Sequence, residues 1–120
     1  MPESLKEGID DDQWKKDPDV IEYLAFMKKE YPEGSVSDLF NAYAYAAAHI
    51  MQRVLEQCSD DLTRENVMRQ AASLRNVALP MLLPGIVVNT SADDYAVLKD
   101  SRLAQFDGKR WVIIDDEKGR

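Results

Sequence analysis

One cysteine, Cys58, stands among 120 residues, so no internal disulfide and no multi-cysteine zinc site can form. It falls on an apolar helical stripe and reads as a buried packing residue, not a reactive thiol. Basic side chains are the minority, 15 against 22 acidic ones, for a formal charge of −7. Phosphate contacts need clustered Lys and Arg, so neither nucleic acid nor an anionic membrane is an expected partner. No run approaches the roughly 18 consecutive apolar residues of a membrane span, so membrane insertion is not expected either. The opening MPESLKEGIDDD has no basic start and no apolar stretch. It is not a signal peptide, and the chain as written is expected to be cytoplasmic.

Catalytic side chains are scarce too. His49 is the only histidine, with Gln52 and Arg53 one helical turn away in place of a carboxylate. A lone helical histidine is far more often structural than catalytic. There is no Ser-His-Asp set of credible spacing, no HExxH and no phosphate loop. Gly8, Gly34, Gly85, Gly108 and Gly119 are scattered singly at turns. The adjacent acids Asp93 and Asp94 read as turn formers. Asp10 to Asp12 and Asp115 to Glu117 read as solvated acidic ends, because consecutive acids on a flexible chain do not preorganise a cation cage. No enzymatic activity, cofactor or metal is expected.

What the chain does have is one long helix-forming stretch, Ser37 to Cys58, SDLFNAYAYAAAHIMQRVLEQC. No Pro or Gly interrupts it, and Ala is the best helix former. At about 1.5 Å per residue it would run some 30 Å. Leu39 to Ala48 is apolar almost all round, which predicts burial on more than one side. The second half narrows to Ile50 and Val54 with Met51, Leu55 and Cys58, while Gln52, Arg53, Glu56 and Gln57 turn outward. Ser37 is the expected N-cap, with Asp38 in the first turn complementing the dipole.

The rest packs around that helix. At 45% hydrophobic the chain is long enough for one domain with a real core. Residues 1–16 are polar, with Leu5, Ile9 and Trp14 as isolated apolar points, and read as an N-terminal arm docked through Trp14. Residues 17–120 form the single domain. Asp17-Pro18 is a helix start, followed by Val20, Ile21, Leu24, Met27 and Tyr31 at helical spacing, with Pro32 and Gly34 as the stop. Thr63 caps a third helix carrying Val67, Met68, Ala71, Ala72 and Leu74 on one side. Leu79 to Gly85 holds two prolines and reads as an extended apolar connector across a surface. Ile86 to Val88 is an expected short strand. Asp107-Gly108 between Leu103–Phe106 and Trp111–Ile114 predicts a hairpin with a type I′ turn. The residues alone give an α+β class: three helices packed with short strands and a C-terminal hairpin.

Three stretches occur in a telling order: Phe40 to Ala48, Leu62 to Ala72, and Leu79 to Gly85 followed by Phe106 to Trp111. Together they resemble the C-terminal portion of periplasmic substrate-binding proteins of the branched-chain amino acid (or aromatic acid) ABC-transporter class. The likeness covers nearly all of this chain and only the last portion of a family member. It implies an incomplete lobe of a type I periplasmic-binding fold, a periplasmic ancestry and a small amino acid or aromatic acid as the family's ligand. By motif match Phe40, Asn41 and Tyr43, at the start of the central helix, are the implied ligand-facing positions, where a helix N-terminus could meet a carboxylate. The opposing lobe and the residues that clamp the ligand's amino and carboxylate groups are missing. Two readings follow: a non-enzymatic solute-binding fragment or truncated homologue, or a self-associating interaction module without a ligand. A homodimer is expected on either, because two helices and a hairpin leave part of the central helix and several strand edges uncovered.

Overall fold

The computed structural model describes residues 2, 3, 5, 6 and 8–114. The acidic end at 115–117 lies outside them. Three helices, α1 (Pro18–Glu30), α2 (Leu39–Cys58) and α3 (Arg64–Ala71), precede a hairpin of β2 (Arg102–Phe106) and β3 (Trp111–Ile113). A two-residue strand, β1 (Pro2–Glu3), completes an antiparallel sheet of order β1-β2-β3. The class is therefore α+β.

Each helix starts where side-chain chemistry satisfies the first free N–H groups. Asp17 accepts from Asp19 N at 2.9 Å and Val20 N at 3.2 Å, with Pro18 in the first turn where its missing N–H does no harm. α1 ends at Glu30, and a turn from Tyr31 to Gly34 carries the chain away. Thr63 caps α3 as its sequence implies. At α2 the expectation needs correcting by one residue. Asp38, not Ser37, is the cap, accepting from Phe40 N at 2.9 Å, while the Ser37 hydroxyl pairs with Ser35. A carboxylate makes the stronger charge-assisted bond to an N–H, so it takes the position when both are offered.

The core lies between α1, one face of α2 and the segment Leu74–Val88. Tyr23 and Tyr45 meet edge to face at 5.0 Å, and Phe26 approaches Tyr45 at 5.1 Å. The proline-rich connector was expected on a surface and is instead core: Leu79, Met81, Leu82, Leu83 and Ile86 are all buried. It doubles back through Pro84-Gly85, with Gly85 at φ +84° and Ile86 N donating to Leu83 O, the pattern of a type II turn. The expected strand at 86–88 reduces to one antiparallel bridge, Val88 with Val77, because Ile86 N is spent on Leu83 O and Thr90 N on Leu74 O. Leu5 and Ile9 of the N-terminal segment are buried, and Leu5 bridges Leu82. Trp14 packs half-buried against the core.

The hairpin forms with a different turn. Phe106 pairs with Trp111, and Asp107 N donates to Arg110 O, so the two central residues are Gly108 and Lys109. Only Gly108 has positive φ, +99°, whereas a type I′ turn needs it at both central residues, so the turn is not type I′. The Asp107 carboxylate explains the shift, since it accepts from Lys109 N and Arg110 N, both at 2.9 Å.

Candidate functional site

Phe40, Asn41 and Tyr43 occupy the first two turns of α2. Phe40 is 81% exposed and Tyr43 47%. Asn41 turns away from both, donating its amide to Ser35 O at 2.9 Å. The helix end beside them is closed by the protein's own Asp38 carboxylate. A groove of about 230 Å³ does lie there, lined by Lys6, Ile9, Val36, Asp38, Leu39, Ala42 and Trp111, but none of the three implied residues borders it.

Next to that groove is a buried charge cluster. Lys6, 4% exposed, donates to Asp17 at 2.7 Å, lies 3.7 Å from Asp19 and sits over the Trp14 ring at 5.5 Å. Burial pushes the Asp17 carboxyl upward in pKa, yet the Lys6 hydrogen bond and the N–H groups of Val20 and Asp19 outweigh it and hold it below the usual range. The cluster ties the N-terminal segment to the start of α1. Tyr23 OH is buried with no hydrogen-bond partner among the described residues, and burial raises its pKa, with Asp38 nearby adding to the rise.

His49 spends its Nδ1 on Tyr45 O at 2.9 Å in its own helix. Asp93 and Asp94 serve the local turn: Asp93 accepts from the Ser91 hydroxyl and Asp94 from Ala96 N. Among the described residues no group of three His, Cys, Asp or Glu side chains is arranged to hold a metal ion. No described helix is long and apolar enough to cross a membrane.

The unusual surface is on α2. Its N-terminal apolar run was expected to be buried on several sides, but only Ala42, Tyr45 and Ala46 are buried, while Phe40, Tyr43, Ala44, Ala47 and Ala48 face outward. Met51 and Leu55, expected on the buried stripe, are 51% and 43% exposed; Val54 and Cys58 are buried at that end and Ile50 packs half-buried against the core. The cause is geometric. α3 is only eight residues long and packs beside the C-terminal end of α2, where Gln57 meets Gln70, and the described residues leave the stripe from Phe40 to Leu55 uncovered. With Leu62, 62% exposed beyond the end of α2, Ala48, Met51 and Leu55 line an open groove of about 640 Å³. The all-round apolar run signalled this surface, because a helix lacking a polar face needs cover that the described residues do not supply.

No protein-family model matches the chain, and no curated protein or solved structure is significantly similar to it.

Proposed function

We propose that this protein is a non-enzymatic interaction module whose working surface is the outward face of α2 and whose partner is a second copy of itself. The observation that carries this is the exposed apolar stripe from Phe40 to Leu55. From its fractional exposures the stripe with Leu62 amounts to on the order of 500 Å², the size of the largest apolar patch on a typical monomer, which is often functional. It also approaches the roughly 800 Å² per partner of a standard interface. A descent from a solute-binding lobe rests on the ordered motifs of the sequence alone. The described residues offer no enclosed cleft containing Phe40, Asn41 and Tyr43 that could close on an amino acid or aromatic acid.

The test is a charge placed on the stripe. Met51 is half exposed, so Met51→Asp should leave the circular dichroism spectrum and melting curve of the monomer nearly intact. In the dimer it would bury an unpaired carboxylate. Sedimentation equilibrium should show self-association weakened by at least about 100-fold, near 3 kcal/mol. Unchanged self-association would move the interface elsewhere.

A further inference from the structure

The stripe carries its own symmetry, and this inference rests on the self-association just proposed. Inside a rim that carries Tyr43, its exposed apolar positions are Phe40, Ala44, Ala47, Ala48, Met51 and Leu55. Reversing α2 end for end about a point midway between Ala47 and Ala48 exchanges Phe40 with Leu55, Ala44 with Met51, and Ala47 with Ala48. All six positions are carried onto one another. At about 100° per residue they also share one face of the helix, so a two-fold axis through that face superposes the stripe on its copy.

We infer that two copies pack α2 against α2 in antiparallel fashion, with the two-fold axis passing between Ala47 and Ala48. Side-chain size fits this register. Alanine meets alanine at the axis, where the helices approach most closely. One layer out, the small Ala44 meets the larger Met51 of the second copy. At each end Phe40 meets Leu55 of the second copy, so the side chains grow as two crossing helices diverge. The rim is complementary too: the same operation sets Tyr43, with its hydroxyl, opposite the amide of Gln52. Antiparallel helices place the positive end of one macrodipole beside the negative end of the other. A parallel pair would instead stack Phe40 on Phe40 and leave the alanine layers as a gap beside it.

Disulfide trapping reads the register. In a Cys58→Ala background, Ala44→Cys and Met51→Cys variants are prepared separately, then mixed and oxidised. In the antiparallel register the two substituted positions face each other across the interface. Each is about 10 Å along the axis from its own copy, outside the Cα separation of under about 7 Å that a disulfide spans. The expected result is a linked dimer from the mixture and little from either variant alone. Self-linking of each variant alone would overturn the register in favour of a parallel pair. A dimer mass without linkage in any combination would overturn it as well, while Met51→Asp then tells whether the α2 face is still the interface. A single-chain mass for the unsubstituted protein would remove the self-association reading itself, so the two failures are separable.

Discussion

Asp17 caps α1 through two backbone N–H groups and neutralises Lys6 with the same carboxylate. Its folded-state pKa is depressed, so the stability it contributes is fully present above the ordinary carboxylate range and is lost as pH falls through the lower folded value. Asp17→Asn keeps a competent cap but strands a lysine that is 4% exposed with only Asp19 at 3.7 Å. Removing one partner of a buried pair costs up to 3–5 kcal/mol, and partial solvent access at Asp17 brings the expected loss to about 2 kcal/mol. Urea titrations across pH 2 to 7 check both parts: the variant should be less stable at neutral pH and lose less on acidification below about pH 4. Parallel pH profiles for the two proteins would show that Asp17 is not the linked group.

Gly108 is a second position where a residue decides its surroundings. A Cβ there would touch nothing within 4 Å, so any penalty must come from the backbone at φ +99°. Gly108→Val should therefore cost about 2 kcal/mol, near 5–10 °C in melting temperature. A melting curve identical to that of the unsubstituted protein would contradict the positive φ at Gly108.

Among the elements, those announced by local chemistry are where the sequence puts them. Asp17-Pro18 and Thr63 start helices because cap and dihedral preferences act within a few residues. Phe106 and Trp111 sit in strands because a turn and alternation are equally local. What was not legible depended on distant neighbours. Two prolines rightly forbid a helix at Leu79 to Gly85, but nothing nearby tells whether an extended apolar segment crosses a surface or fills the core. Here it is core, since Leu5 bridges Leu82 and Lys6 N donates to Met81 O. The Asp107 carboxylate moved the turn by one residue through bonds that spacing alone does not reveal. On α2 the alanine run marked the helix, but the burial expected on several sides is not met: α1 covers it at Tyr45 and α3 near Gln57, contacts that spacing alone does not reveal. Of the implied site, Phe40 and Tyr43 share the outward side of α2, and Asn41 is drawn into the preceding loop by Ser35, a contact six residues away.

As a whole the molecule is flat. Its principal extents are 49 × 42 × 20 Å and its radius of gyration is 16.0 Å, against about 14 Å for a compact chain of this length. Its accessible surface is 8409 Å², where a monomer of this mass exposes about 6,600 Å². A sheet-like body with an apolar helix face on the outside gains most from a second copy laid over that face. It is also poorly shaped to enclose a small molecule, since tight sites bury most of the ligand between preformed walls. Calorimetric titration with branched-chain and aromatic acids should accordingly give no Kd tighter than about 1 mM. Micromolar binding would restore the solute-binding role.

The self-association of α2 is tested most directly by the mass of the native protein. Light scattering coupled to size exclusion, at micromolar loading and through a dilution series, should give about twice the 13.7 kDa of one chain, falling only on strong dilution. A species of one chain mass at every concentration, folded by circular dichroism, would contradict it.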